Sequence, residues 1–289
     1  MLSLFLRPKA DLRVEMDKVS AAPGEEVAAR VTLSSDSDFE IRGGTVALVC
    51  VETYIQKTSS QYGTSYQKKT NILSSQEESF SDSGAIRKGT QYSTQVAFQL
   101  PPDALPTLHG TVIQKIEPGI TWQVSASMDV IKARDLSASR EIAVPAQSPP
   151  ATPPSPSIAE AQHNQGVLTL RLNSAQAGSG DTLEGRFSAR MASEVSVQEI
   201  RVDLVRVEKF GNDENEHPID SVTLSPAATL MPDVDSQEAL DWDFQLNVGS
   251  VELPSLKTEK STVRWLVKGV LSRPLRTDLR VEQELTTYI

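Results

Sequence analysis

The chain has 289 residues, 38 % of them hydrophobic, 23 % charged and 5 % aromatic, with one Cys and three His. A single Cys excludes a disulfide framework and Cys-rich zinc modules. With 28 basic against 38 acidic residues, the net charge of −10 excludes general affinity for nucleic acid.

The opening MLSLFLRPKA has no basic residue before its short apolar run, so it reads as neither a secretion signal nor a membrane span. No later stretch approaches the roughly 20 apolar residues that a span needs, and the expectation is a cytoplasmic protein. Leu12, Val14 and Met16 alternate with polar residues, and Val27, Ala29, Val31 and Leu33 do so after the turn Ala22-Pro23-Gly24. Val46 to Val51 is a further apolar strand. Tyr54 to Thr90, rich in Ser, Thr, Gln and Tyr, reads as a long irregular segment. Tyr62, Tyr66 and Tyr92 in or beside it are candidate partner-binding aromatics, and a hairpin extension without a partner is the competing reading. Val96, Phe98 and Leu100 form another row, as do Trp122, Val124, Ala126 and Met128. Residues 132–140 are the expected place for a short turn of helix.

Ala146 to Ser157 reads AQSPPATPPSPS, a semi-rigid spacer that also contains a PxxP, Pro153 to Pro156. The expected organisation is a first domain over 1–147, a linker over 148–157 and a second domain over 158–289. The first half carries a net charge of −2 and the second −8.

The halves repeat one pattern. Shifted by 156 positions, Leu12, Val14 and Met16 fall on Leu168, Leu170 and Leu172, and Gly24 falls on Gly180. The run Thr45 to Tyr54 lies over Arg201 to Phe210, with Val46, Leu48, Val49, Val51 and Glu52 repeated identically. The inward face is expected to change within this strand, from Val46 and Leu48 to Val49 and Val51, through a bulge or strand bend shared by both copies. Later, Phe98-Gln99-Leu100 matches Phe244-Gln245-Leu246. Trp122 matches Trp265, Asp135-Leu136 matches Asp278-Leu279, and Glu141-Ile142 matches Glu284-Leu285. Short alternating strands written twice predict an all-β chain of two tandem β-sandwiches.

The first half resembles the arrestin-fold family. The run Ala22-Pro-Gly-Glu-Glu-Val-Ala-Ala-Arg-Val31 is similar to that family's glycine turn and second strand. Phe98-Gln-Leu-Pro-Pro-Asp-Ala-Leu-Pro-Thr-Leu-His-Gly110, then Ile120-Thr-Trp-Gln-Val-Ser-Ala126 and Glu141-Ile-Ala-Val144, are similar to its later segments. The resemblance implies two immunoglobulin-like sandwiches of arrestin type and a non-catalytic adaptor or scaffold that binds other proteins, including cytoplasmic parts of membrane proteins. There is no Pro-Pro-x-Tyr motif, and no stretch after the last matched strand supplies a clathrin-type signal.

For sites, Lys257, Lys260, Arg264, Lys268, Arg273, Arg276 and Arg280 make a basic stretch after the acidic one between Val207 and Asp243. It either forms a face for a phosphorylated tail or anionic lipid, making the chain a peripheral membrane module, or neutralises the acidic segment. Gly211 to Pro218 invites a calcium reading, but its spacing fits no calcium-loop signature, and an acidic hairpin is the simpler reading. His109, His163 and His217 lack metal-ligand spacing. No serine-nucleophile elbow or phosphate loop occurs, and Cys50 reads as a packing position. The expectation is no enzyme, no cofactor and no metal. Self-association through an exposed sheet edge is a third reading, and the oligomeric state is not encoded in any motif.

Overall fold

The computed structural model describes residues 8–146, 155–231 and 239–289. The chain divides into two compact units, Met1–Ala146 and Gln147–Ile289. The described residues are all β, with no helix, and so none that is long and apolar enough to cross a membrane.

The first unit contains β1 (Ala10–Met16), β2 (Glu26–Ser35), β3 (Phe39–Ser60), β4 (Gly63–Ser81), β5 (Gly84–Ile86), β6 (Gln91–Gln99), β7 (Leu108–His109), β8 (Gly119–Val130) and β9 (Leu136–Ile142). The second contains β10 (Ser157–His163), β11 (Gly166–Leu172), β12 (Gln176–Ala177), β13 (Thr182–Met191), β14 (Val195–Val197), β15 (Glu199–Phe210), β16 (Asp213–Ser225), β17 (Ala228–Leu230), β18 (Leu240–Asn247), β19 (Leu256–Lys257), β20 (Ser261–Ser272) and β21 (Leu279–Thr287).

One sheet of the first unit is ordered β1-β2-β6, and the other β4-β3-β8-β7 with β5 on β3 and β9 on β8. The second unit has β10-β11-β13-β18 opposite β12-β21-β20-β15-β16, with β19 on β20 and a small β14-β17 pair. Ladders are antiparallel except β12 with β21. Alternate side chains are buried, as in β2 (Val27, Ala29, Val31, Leu33) and β8 (Ile120, Trp122, Val124, Ala126, Met128). Antiparallel sheets with one apolar face each, meeting through those faces, are consistent with a β-sandwich.

The sequence repeat is physical. Val46 pairs with Ala126 and Cys50 with Trp122 in the first unit; Val202 pairs with Gly269 and Arg206 with Trp265 in the second. Both indoles are buried, and each donates its Nε1–H to a leucine carbonyl at 2.8 Å, Leu105 for Trp122 and Leu253 for Trp265. Asp135 accepts from the Val130 amide and Asp278 from the Arg273 amide, closing equivalent turns. In those turns Lys132 and Leu275 both sit at positive φ, 57° and 58°. Gly24 and Gly180 share φ 82°, the left-handed geometry their turns require.

Four expectations are corrected. Residues 132–140 form no helix: 131–135 turn, and β9 pairs with β8 because Leu136, Ala138 and Ile142 alternate toward the core. Second, Val27 pairs with Phe98 whereas its counterpart Leu183 pairs with Leu246, so Phe98 matches Leu246 and not Phe244. A two-residue slip leaves every side chain on the same face, so alternation alone did not expose it. The true offset also aligns Leu105-Pro-Thr-Leu-His109 with Leu253-Pro-Ser-Leu-Lys257, which contain the two indole acceptors.

Third, the inward face of β3 does not change at Val49. Gly44, Val46, Leu48, Cys50 and Glu52 stay buried in alternation, and the irregularity lies between Cys50 and Val51 against β4. In β15 a shift does lie between Leu204 and Val205 against β16, but the register with β20 runs on unbroken. Val205 and Val207 are buried with Leu266 on the opposite face of the sheet, so the apolar run there reflects burial on two sides.

Fourth, the segment after Tyr54 is not irregular but takes the hairpin form of the competing reading. It completes β3 and β4, two strands of 22 and 19 residues joined at Gln61-Tyr62. The linker residues 147–154, with Pro153 of the PxxP, and the apolar start Leu2 to Leu6 lie outside the described residues. The last linker residue of the sequence reading, Ser157, opens β10, a strand that pairs with β11 and that no alternation announced.

Candidate functional site

Beyond Thr53, β3 leaves the sheet. Its other neighbour, β8, pairs with it from Ile41 to Thr53 only. Seven further cross-strand pairs, from Tyr54↔Lys69 to Ser60↔Gly63, continue as a bare two-stranded ribbon. At ~3.3 Å per residue it extends about 23 Å past the sheet. Ile55 is buried at its base, while no residue from Gln56 to Thr70 is buried on either face. Tyr62 at the tip is 91 % exposed. Tyr66, half-buried, lies under the Lys57 ammonium at 5.7 Å from its ring centre.

The arm is also electrostatically distinct. Between Thr53 and Gln76 there are three Lys (Lys57, Lys68, Lys69) and no acidic residue, in a chain of net −10. The matching hairpin of the second unit differs in both respects. There β20 flanks β15 over its whole length, to Phe210↔Ser261, and the turn follows at once at Gly211-Asn212. Its return strand β16 begins Asp213-Glu214-Asn215-Glu216.

The seven cations of 257–280 do not share one face. Strand alternation puts Arg264, Lys268 and Arg280 on the sheet face away from the core. Lys257 and Lys260 lie in β19 and the turn after it, and Arg273 and Arg276 in the turn between β20 and β21. Lys268 is buried and reaches Glu216 at 2.6 Å and Glu282 at 3.6 Å. Lys260 pairs with Glu259, Arg280 with Asp278, and Arg273 donates to the Thr277 carbonyl. The same outer face carries a ladder along β15 in which Arg201 bridges Glu199 (3.2 Å) and Asp203 (3.0 Å). The Thr223 hydroxyl at 2.6 Å and then Arg201 hold the Glu199 carboxyl below its ordinary range.

A second polar cluster faces inward in the second unit. The Arg206 guanidinium sits 2.8 Å from the buried Glu208 carboxylate and 5.9 Å from the centre of the Trp265 ring. His217 approaches the same carboxylate at 3.4 Å. In the first unit the equivalent pair is Cys50 and the fully buried Glu52, with the Asn71 amide at 3.5 Å from the carboxylate. Burial first, and then the Glu52 charge, push the Cys50 thiol up to about 12, which suits packing and not attack. His109 lies 3.4 Å from Glu117, and His163 bonds the Arg280 carbonyl. Among the described residues no group of three or more His, Cys, Asp and Glu has metal-holding geometry.

The chain matches no protein-family model and no curated protein. The feature that sequence reasoning weighed too lightly is the arm's charge: its three lysines stand in a long stretch with no acid, a signal visible in the composition of residues 53–76.

Proposed function

We propose that the chain is a non-catalytic adaptor or scaffold whose β3–β4 arm docks another protein, carried on two immunoglobulin-like sandwiches of arrestin type. The observation that carries the functional reading is that the arm buries nothing between Gln56 and Thr70. Ordering a residue costs about 1–2 kcal/mol, and an isolated two-stranded hairpin is marginal in water. A long strand pair that gains no burial within its own fold is best accounted for by contact outside it. Its chemistry fits protein recognition: Tyr62 and Tyr66 offer rigid aromatic surface, Ser, Thr and Gln offer adaptable hydrogen bonding, and the lysines favour an acidic partner.

The fold reading is supported by the paired sheets of each unit and by the repeated indole, turn and register features. Anionic lipid binding through 257–280 draws less support, because Lys268 is buried against Glu216 and the remaining cations are dispersed.

The test is photo-crosslinking in cells with a benzophenone side chain at Tyr62, and at the exposed Val19 as control. Discrete protein adducts at Tyr62 and none at Val19 are expected. Equal adduct patterns at both positions, or none at Tyr62, would overturn the assignment.

A further inference from the structure

We propose that the open edge of β4 in the arm pairs with the open edge of β16 in a second copy of this chain. This rests on reading the arm as a docking element and names its occupant.

The two strands are counterparts in the repeat, and each ends its sheet. Both edges are closed near the sheet body and open further out. On β4, the Gln76 amide donates to the Gln99 carbonyl and the Tyr92 hydroxyl to the Phe80 carbonyl. From Gly63 to Ser75 no described strand lies on its outer side. On β16, the Asn247 amide donates to Asp220, and Pro218, which has no N–H, marks the end of the pairable edge. That leaves Asp213 to His217, where no described strand lies outside β16.

Charge selects the partner. The β4 edge carries Lys68 and Lys69; the β16 edge carries the exposed Glu214, while Glu216 beside it is held by Lys268 at 2.6 Å. Two β4 edges would oppose lysine to lysine, and two β16 edges glutamate to glutamate, both unfavourable across a ladder. The mixed pairing sets Lys against Glu, so each edge repels its own kind and accepts the other. Each copy offers one edge of each kind, so a β4 edge of one copy has a complementary β16 edge to meet on another. The length of the arm carries its edge clear of the first unit's sheet, which gives a neighbour's β16 room to join it.

The experiment is sedimentation equilibrium of the full chain across concentration at low and high salt. We expect a monomer–dimer equilibrium that weakens as salt rises. Lys68→Glu with Lys69→Glu should raise the dimer Kd by about tenfold. Glu214→Lys should weaken it similarly, and the combination should recover at least half of the loss in log Kd. Lys68 and Glu214 are exposed and Lys69 is half-buried, and unchanged melting temperatures would confirm that folding is intact. A monomer at every concentration, or a dimer indifferent to these variants, would overturn the pairing. A monomer that still gives discrete Tyr62 adducts would leave the docking role standing with a different occupant.

Discussion

A Cβ placed on Gly269 would lie 2.6 Å from the ring of Phe187, so the aromatic side chain fills the space that the glycine leaves. Phe187 is on β13 and Gly269 on β20, so this contact joins the two sheets of the second unit. At the matching positions the first unit has Val31 and Ala126, both buried. One volume has been divided in two ways, large with none and medium with small, within the same packing layer.

Gly269→Ala should therefore destabilise the protein by about 1–3 kcal/mol through overpacking. Phe187→Leu alone should also cost stability, through a cavity. The double variant should cost less than the sum of the two, because the smaller side chain makes room for the new methyl group. Urea denaturation of all four proteins measures this coupling, and strict additivity would show that the two positions do not share a space.

In the second unit the half-buried Arg206 pairs with the buried Glu208 carboxylate. Arg206→Met should destabilise by about 3 kcal/mol, because it strips the guanidinium from a buried carboxylate and from the Trp265 face. A loss below about 0.5 kcal/mol in a chemical melt would mean that the pair behaves like a surface one.

Cys50 gives a pH signature. Its thiol is pushed from its ordinary 9.0 to about 12 by burial, so from pH 9 upward the unfolded chain releases this proton before the folded one does. The unfolded state then binds fewer protons, and stability falls with rising pH until the folded pKa is reached. Cys50→Ala should flatten that decline between pH 9 and pH 12 relative to the wild type, although it costs stability at pH 7. Ellman's reagent should react with the thiol only after unfolding. Prompt reaction in the native state, or an identical alkaline decline in the variant, would contradict the placement.

Leu275 is fully exposed at φ 58°. Leu275→Gly should raise stability by about 0.5 kcal/mol, the relief of left-handed strain less the added freedom of the unfolded chain. Leu275→Val should lower it. A thermal melt in which the two substitutions rank the other way would argue against the turn geometry.

What the sequence made legible is what burial writes into it. The Leu12–Met16 and Trp122–Met128 rows, the Gly24 and Gly180 turns and the tryptophan repeat all follow from alternate side chains meeting a core. The arm was legible only as one of two competing readings for the same reason. With neither face buried, residues Gln56 to Thr70 show no apolar alternation, and their strand pairing rests on backbone hydrogen bonds that any polar sequence can make. The Phe98 register failed because Phe-Gln-Leu occurs in both halves two residues out of phase. The division of the basic stretch 257–280 among two turns and a sheet face depends on which strand lies beside which. Lys268 finds Glu216 across β15, a contact no local spacing could reveal.

The central claim is that the arm serves binding and not folding, and shortening it tests that most directly. Replacing Gln56 to Gln67 with a two-residue turn should leave the melting temperature within about 2 °C of wild type, since no buried surface is lost. The shortened chain should lose both the discrete protein complexes expected of the intact chain in native extract and the dimer expected in sedimentation. A shortened chain that folds equally well and keeps the same complexes would contradict the account.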